Sequence, residues 1–210
     1  RVLRPLLQGP LRPWKVVDLT EAAGVSLGTV STVRNELLQQ AWAEETEQGG
    51  LRIVKPDAVL DAWVKEDDWK KRTTVREYSI LTNDRDELAD KLHRLVETQE
   101  HAFTQWYAAL LRRPYTVNDR VTLYVSAFPE EHFIQGELLG RRVDSGGSLR
   151  LVVPKDDGVF LFKQHDMHGL PIVSDLQIYL DLINAGMRGD EAAKELRSSN
   201  DFNGGWHDKV

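Results

Sequence analysis

The segment Ala23-Gly24-Val25-Ser26 constrains the fold of this chain more than any other part of its sequence. Glycine adopts a positive φ at little cost, and serine commonly caps the first turn of a helix. Apolar residues before and after the segment recur at helical spacing. In the helix before it, we expect the inward-facing residues to be Val17, Leu19 and Ala22 or Ala23. The pattern therefore predicts two helices joined by a tight turn, a helix–turn–helix.

The helix that follows the turn, residues 27–40, is predicted to have two distinct faces. Val30, Val33 and Leu37 are spaced three and four residues apart, so they share a buried face. The opposite face and its flanks carry small, hydroxyl or amide side chains, which let a helix approach the major groove and contact base edges. We therefore expect DNA contacts from Ser26, Gly28, Thr29, Ser31, Thr32 and Asn35.

A hairpin is predicted directly after this helix. Two short extended runs, residues 43–46 and 51–54, flank the turn Glu47-Gln48-Gly49-Gly50. A hairpin in this position is typical of the wing of a winged helix–turn–helix. Glu44, Glu45 and Glu47 weaken the interpretation that this wing contacts DNA, and the alternative is that it only supports the fold.

Three basic side chains are candidate phosphate contacts. Lys15 precedes the second helix, whose positive dipole end attracts anions. Arg34 lies in the third helix near its inner face, and Arg52 lies in the hairpin. The alternative for each of them is a solvated position on the surface.

The distribution of charge favours a DNA-binding head on an acidic body. The net charge of −6 over 210 residues counts against broad nonspecific binding to nucleic acid. Residues 1–40 are nevertheless locally positive, because their three acidic residues are outnumbered by five basic ones, Arg1, Arg4, Arg12, Lys15 and Arg34. The alternative function for a winged helix is to bind protein rather than DNA.

Several classes of protein are disfavoured by composition. The sequence has no run of about 18 apolar residues and no charged-then-apolar leader, so neither a membrane span nor a secretory signal is predicted. The absence of cysteine excludes disulfides, thiol nucleophiles and cysteine-based zinc sites, and it fits a cytoplasmic protein. Because the sequence begins at Arg1 inside a helical pattern, we expect it to be a fragment of a longer protein.

The predicted fold class is α+β, an N-terminal winged helix–turn–helix followed by a mixed α/β C-terminal domain. The predicted parts are a DNA-binding domain over 1–66, a linker over 67–76, an α+β domain over 77–198 and a mobile tail over 199–210. Alternating apolar residues predict strands at 77–81, 121–126, within 141–154 and at 159–162. Helical spacing predicts helices at 84–98, capped by Thr82 or Asn83, and at 100–112, 174–186 and 190–197.

Three groups of residues in the second domain could suggest an enzyme, and each has a simpler explanation. His165-Asp166-Met167-His168 does not match a known metal motif and fits a polar loop. Asp156-Asp157 precedes Gly158 and fits a turn better than a magnesium site. Gly146-Gly147-Ser148 is too short for a phosphate loop. We therefore predict no catalytic residue, no metal site and no cofactor.

Four segments of the sequence resemble one family of regulators. Residues 18–31 are similar to the winged helices of many bacterial regulators, and residues 121–125, 171–182 and 189–193 are more selective. Together they resemble the AbiEi-type antitoxin family of transcriptional regulators, which belongs to type IV toxin–antitoxin systems. The resemblance covers most of residues 1–198.

The resemblance implies a repressor that binds repeated operator sites in double-stranded DNA and neutralises a nucleotidyltransferase-like toxin. A homodimer is expected separately, because operators that are palindromic match proteins with two-fold symmetry. The competing interpretation makes the second domain itself a nucleotidyltransferase-like enzyme that the winged helix targets to DNA. It is disfavoured because Gly146-Gly147-Ser148 is too short and isolated for the phosphate loop of such an enzyme, and Asp156-Asp157 fits a turn better than a catalytic carboxylate pair.

Overall fold

A computed structural model of the chain describes residues 1–9, 11–82, 84–114, 118–186 and 188–205. These residues form two compact units. The first comprises Arg1–Asp67 and residues 198–205, and the second comprises Asp68–Arg197. Helices and sheets occur together in the chain, and this confirms the predicted α+β class.

The first unit combines short helices with one small sheet. In chain order its elements are α1 (Leu3–Leu7), α2 (Val16–Ala23), α3 (Leu27–Gln39), β1 (Ala43–Glu45), β2 (Leu51–Ile53) and α4 (Pro56–Glu66). β1 and β2 pair in antiparallel fashion and form the predicted hairpin. Trp14 exchanges two backbone hydrogen bonds of 2.8 Å with Leu51, so the segment before α2 extends this sheet.

The turn between α2 and α3 depends on Gly24. Its φ of 60° and ψ of 44° lie in the left-handed region, which costs glycine less than any other residue. Leu19 and Ala23, four residues apart, are the buried positions of α2. The prediction that Val17 faces inward is wrong, because Val17 is 71% exposed. Residues two apart lie on nearly opposite sides of a helix, so burial of Leu19 turns Val17 outward.

The predicted mobile tail differs from the structure over residues 199–205. Phe202 is fully buried in the first unit. The Asn203 side-chain amide donates a hydrogen bond of 2.7 Å to the Leu7 carbonyl, and the Gly9 amide donates one of 2.9 Å to the Asn203 carbonyl. One aromatic ring and two hydrogen bonds therefore fix this segment against the end of α1. Residues 206–210 of the predicted tail lie outside the described residues.

The second unit is built on a mixed sheet. Its elements in chain order are α5 (Trp69–Arg72), β3 (Thr73–Ser79), α6 (Arg85–Leu95), β4 (His101–Thr104), α7 (Gln105–Arg112), β5 (Val121–Val125), α8 (Glu131–Leu138), β6 (Arg141–Val143), β7 (Leu149–Pro154), β8 (Gln164–His165), β9 (Pro171–Ile172), α9 (Asp175–Ile183) and α10 (Gly189–Arg197). Among the described residues, the strand order of the sheet is β6-β3-β7-β5-β4-β9-β8. The pairs β5–β7 and β4–β9 are parallel, and the other neighbours are antiparallel.

The predicted linker over 67–76 differs from the structure, because most of it belongs to the second unit. Residues 69–72 form α5, and β3 pairs with both β6 and β7. Lys70 and Lys71 are exposed, as expected for a charged run, but Arg72 forms an ion pair with Asp181. Asp181 is 109 residues away along the chain, so a local charge pattern could not predict this contact.

Two further predicted elements of the second unit are wrong in type. The predicted helix over 100–112 is the strand β4 followed by the helix α7, and all four residues of β4 are buried. A short buried strand lacks polar alternation, so its pattern cannot be distinguished from that of a helix. The predicted strand over 159–162 contains instead the end of a 3-10 helix, Asp157–Phe160. The cap of α6 is Asp84 rather than Thr82, and Asn83 lies outside the described residues.

Substitution of Phe202 by alanine tests whether residues 199–205 are part of the folded first unit. We expect the free energy of unfolding to fall by about 3–5 kcal/mol, because the change removes a buried aromatic ring and leaves a cavity. Urea unfolding followed by tryptophan fluorescence measures the change. Asn200→Ala, an exposed position in the same segment, is the control. Equal unfolding midpoints for Phe202→Ala and the wild-type chain would contradict the packing described above.

Candidate nucleic-acid interface

Ser26 fixes the beginning of α3, the helix that carries most of the predicted DNA contacts. Its Oγ accepts a hydrogen bond of 3.2 Å from the Thr29 amide and lies 2.9 Å from Thr29 Oγ1. A side-chain oxygen at this position satisfies an amide that has no partner within the helix. Ser26 and Thr29 therefore have a structural role in addition to any contact with a ligand.

The polar face of α3 is open to solvent. Val30 and Leu37 are buried and Val33 is half-buried, as the helical spacing predicts. Gly28, Thr29, Thr32 and Asn35 are exposed, and Ser31 is half-buried at the edge of this face. The structure thus places the predicted base contacts on one side of one helix, with Ser26 at its start.

Hydrogen bonds within the helix determine what this face offers to a ligand. Thr32 Oγ1 donates to the Gly28 carbonyl at 3.0 Å, so its oxygen presents lone pairs outward. Asn35 Oδ1 accepts a hydrogen bond of 3.0 Å from Arg34 Nη1. The two donors of the Asn35 amide group then remain for an external acceptor. The face therefore presents both donors and acceptors, as base edges in the major groove require.

Gly28 occupies a position in α3 where the fold itself does not require glycine. A Cβ built there has one neighbour within 4 Å, Ser26 Oγ at 3.9 Å. Its backbone is helical rather than left-handed. Glycine within a helix lowers stability relative to alanine, so packing gives no reason for this residue. Close approach of a ligand to this part of the backbone would be a reason for glycine at this position.

The basic residues of the first unit differ widely in their availability. Lys15 is exposed at the N-terminal cap of α2, where the helix dipole adds to its positive charge. Arg12 is exposed and stacks on Trp14, with its Cζ 4.0 Å from the ring centroid. Arg4 is buried and lies over Trp63, so it adds nothing to the positive surface predicted for residues 1–40.

The other two predicted phosphate contacts, Arg34 and Arg52, form ion pairs with strand β1. Arg34 Nη2 contacts Glu45 Oε1, and its side chain is 28% exposed. Arg52 Nε and Nη2 both contact Glu44 Oε1, across a directly opposed pair of the hairpin. Arg34 therefore extends from the edge of α3 toward the hairpin, where its ion pair with Glu45 holds it partly exposed to solvent. Sequence reasoning placed it near the inner face and did not identify its partner.

The possible enzymatic groups of the second unit have structural roles. Asp156 Oδ1 accepts a hydrogen bond from the Gly158 amide at 2.6 Å and caps the 3-10 helix, in agreement with the predicted turn. Asp166 Oδ1 accepts from the amides of His168 and Leu170 and closes the loop between β8 and β9. Within the described ranges, no group of three or more His, Cys, Asp or Glu side chains is arranged to hold a metal ion.

A buried polar network in the second unit was missed by sequence reasoning. The fully buried Asp181 carboxylate accepts hydrogen bonds from Arg72, at 2.7 Å, and from Thr104, Tyr124 and Gln177. Burial raises the pKa of Asp181, while Arg72 and the Thr104 and Gln177 side chains oppose that rise by stabilising the charged form. Asp181 lies within an apolar helical pattern, where an isolated acidic residue is a signal that could have identified it. The network joins α5, β4, β5 and α9 and forms part of the core.

A second ion pair joins the neighbouring strands β3 and β7, and its carboxylate also holds the turn before β7. Arg150 Nη2 donates to Glu77 Oε1 at 2.7 Å, and the Gly147 amide donates to Glu77 Oε2 at 3.0 Å. Burial opposes ionisation of Glu77, but these two donors outweigh it and lower its pKa. A Cβ on Gly147 would lie 2.6 Å from the Tyr78 carbonyl oxygen, so the turn requires glycine at this position. The residues suggested as a phosphate loop therefore have a packing role.

Comparison with protein families gives a match that covers residues 52–200. The matching family model is described as transcriptional regulator, AbiEi antitoxin, type IV toxin–antitoxin system. This chain belongs to the AbiEi antitoxin family. The predicted family is thereby confirmed, and with it the coarse role of the chain as an antitoxin-family transcriptional regulator. The matched segment of this AbiEi-family chain begins in β2, so α1 to β1 lie outside it.

The other comparisons add no relative for this AbiEi-family regulator. A search of curated proteins found no match, and a search of solved structures also found none. Among the described residues, no helix combines the length and apolar character that crossing a membrane requires.

Replacement of Gly28 by alanine tests whether this glycine serves the fold of the AbiEi-family chain. We expect the free energy of unfolding to rise by about 0.5–1 kcal/mol, because alanine favours the helix and its methyl group has space. Thermal unfolding monitored by circular dichroism measures the effect. Gly147→Ala is the opposite control and should destabilise the chain, since its methyl group would overlap the Tyr78 backbone. A loss of stability in Gly28→Ala would show that packing, rather than ligand approach, requires glycine in α3.

Proposed function

We propose that the first unit is a winged helix–turn–helix that binds double-stranded DNA and represses transcription of the operon that encodes it. The observation that carries this proposal is the exposed polar face of α3, held outward by burial of Val30 and Leu37. The second helix of such a motif enters the major groove, and its exposed side chains contact base edges. The proposed DNA contacts are Lys15, Ser26, Gly28, Thr29, Ser31, Thr32, Arg34, Asn35 and Arg52.

The chemistry of this face supports base contacts from α3. The Asn35 amide group can donate to a purine N7 or to a guanine O6, and the Thr32 oxygen can accept from an exocyclic amine. Gly28 leaves the start of the helix without a side chain, so its backbone can approach the DNA closely. Small residues at these positions allow the helix to lie close to the base edges. Direct readout requires this short distance between helix and bases.

Phosphate contacts are proposed to position the helix rather than to select the sequence. Lys15 lies at the N-terminus of α2, where its charge and the helix dipole both attract a backbone phosphate. A contact of this kind adds affinity for every duplex and a dependence on salt. Two copies of the chain would occupy an operator with two-fold symmetry, in accordance with the expected homodimer.

The second unit is proposed to perform the antitoxin function. Membership of the AbiEi family supports a role in a toxin–antitoxin system, and the family match spans the whole of this unit. The acidic residues noted in the second unit are used in capping and in ion pairs. We therefore propose neutralisation of a nucleotidyltransferase-like toxin rather than nucleotidyl transfer by this chain itself.

Removal of polar groups from the face of α3 tests DNA binding. We expect Asn35→Ala and Thr32→Ala each to weaken binding to the chain's own upstream DNA by roughly 5- to 150-fold, since a good base contact contributes about 1–3 kcal/mol. Fluorescence anisotropy titrations at fixed salt measure the affinity, with a scrambled duplex of the same length as reference. Affinity for the scrambled duplex should change little, because the removed groups contact bases.

Two variants serve as controls for this titration. Asn200→Ala removes the same amide group from an exposed position outside α3, and we expect unchanged affinity for both duplexes. Lys15→Ala should weaken binding to both duplexes alike and reduce the salt slope by about 1, as expected for one phosphate contact. Wild-type affinities that do not distinguish the two duplexes would contradict sequence-specific binding and favour a winged helix that binds protein.

Neutralisation of the toxin can be separated from repression in cells. We expect the full chain to restore growth when it is expressed together with the nucleotidyltransferase-like toxin encoded beside it. The Thr32→Ala, Asn35→Ala double variant should restore growth equally well, because the second unit is unchanged. The toxin is expressed from an unrelated promoter, so repression cannot contribute, and growth is measured as colony count. Failure of both chains to restore growth would contradict the antitoxin function, and failure of the double variant alone would place neutralisation in the first unit.

A further inference from the structure

Two carboxylates of the β1–β2 hairpin hold two of the arginines that would otherwise attract phosphate. Glu45 Oε1 contacts Arg34, which extends from α3, and Glu44 Oε1 contacts Arg52 on the opposite strand. Each pair is partly open to solvent: the side chains of Arg52 and Glu44 are 49% and 48% exposed, and those of Arg34 and Glu45 are 28% and 53% exposed. Both guanidinium groups are therefore accessible while their charge is locally balanced.

The geometry of these pairs specifies an orientation as well as a charge. Glu44 and Arg52 are directly opposite in the register of the hairpin, a position where oppositely charged side chains attract across the strands. Arg52 donates from both Nε and Nη2 to one carboxylate oxygen, which directs the guanidinium across the hairpin toward β1. A phosphate can bind Arg52 only by displacing the Glu44 carboxylate or by approaching the negative charge of that carboxylate.

The second pair is linked to a residue that we propose to read bases. Arg34 contacts Glu45 through Nη2 and donates to Asn35 Oδ1 through Nη1. Glu45 therefore acts through Arg34 on the Asn35 amide and keeps its two donors directed away from the arginine. Loss of Glu45 would release Arg34 toward phosphates and allow the Asn35 amide to rotate.

We propose that Glu44 and Glu45 are specificity-determining residues, which restrain Arg52 and Arg34 so that binding depends on base contacts rather than on phosphate attraction. This inference rests on the proposed DNA-binding function. Phosphate attraction requires no particular sequence and is the main source of affinity for random DNA. On the operator, base contacts from α3 fix the position of the hairpin relative to the phosphates, whereas on random DNA the chain can shift to place a released arginine against a phosphate. Restraint of the two arginines therefore lowers affinity for random DNA more than affinity for the operator.

Glu47 provides a matched control on the same hairpin. It is exposed in the turn between β1 and β2, and the described part of the chain gives it no ion pair. Glu47→Gln changes the net charge by the same amount as Glu44→Gln or Glu45→Gln, but it releases no arginine. The comparison therefore separates the local restraint from the general effect of net charge.

The experiment measures binding of the single variants to the upstream duplex and to its scrambled version over about 50–200 mM salt. We expect Glu44→Gln and Glu45→Gln each to steepen the salt dependence for the scrambled duplex by about 0.9. That change corresponds to about eightfold tighter binding at roughly 0.1 M salt. The ratio of upstream to scrambled affinity should fall for both variants, while Glu47→Gln leaves it close to the wild-type value.

A double-variant comparison tests whether the carboxylates act through the arginines. We expect the gain from Glu45→Gln to disappear in an Arg34→Gln background, and the gain from Glu44→Gln to disappear in an Arg52→Gln background. Gains that persist there, or that Glu47→Gln reproduces, would overturn the inference, as would no gain at all. Wild-type chain that does not distinguish the two duplexes would instead refute the proposed function. Circular dichroism spectra of all variants verify that the fold is retained.

Discussion

Burial of Val30 and Leu37 in α3 determines what the first unit can present to a partner. These two residues lie on one side of the helix, and their removal from water fixes the rotation of the helix about its axis. Gly24 makes this burial possible, because its left-handed backbone reverses the chain between α2 and α3 within a few residues. Gly28, Thr32 and Asn35 then have only one direction available, toward solvent. The same two apolar contacts therefore stabilise the unit and expose its polar face.

Local features of the chain could be predicted from the sequence because their causes are local. The exposed face of α3, the Ser26 cap and the β1–β2 hairpin each depend on residues that are close together in the sequence. The turn chemistry of Gly24 could be predicted for the same reason. These features include most of the residues assigned to the candidate interface.

Features that depend on distant partners could not be predicted in this way. From the sequence, Arg72 belongs to a solvated charge run, but in the fold it forms an ion pair with Asp181 of α9. Residues 199–205 have the composition of a polar tail, but Phe202 is buried in the first unit. The ion pairs of Arg34 and Arg52 could not be assigned from helical spacing, since their partners lie on β1. In each case a single tertiary contact changes the environment of a residue whose immediate neighbours indicate a different one.

The buried position of Phe202 also has a consequence for synthesis of the protein. The hydrogen bond between Asn203 and Leu7 spans 196 residues of sequence, so the second unit is inserted between two parts of the first. During translation the inserted unit emerges completely and can fold as a body before the ribosome releases the segment that finishes the first. The apolar site of the first unit that receives Phe202 stays uncovered until then. A chain terminated just before residue 198 would contain a complete second unit and an incomplete first unit. Its uncovered apolar surface would be accessible to the chaperones and proteases of the cell.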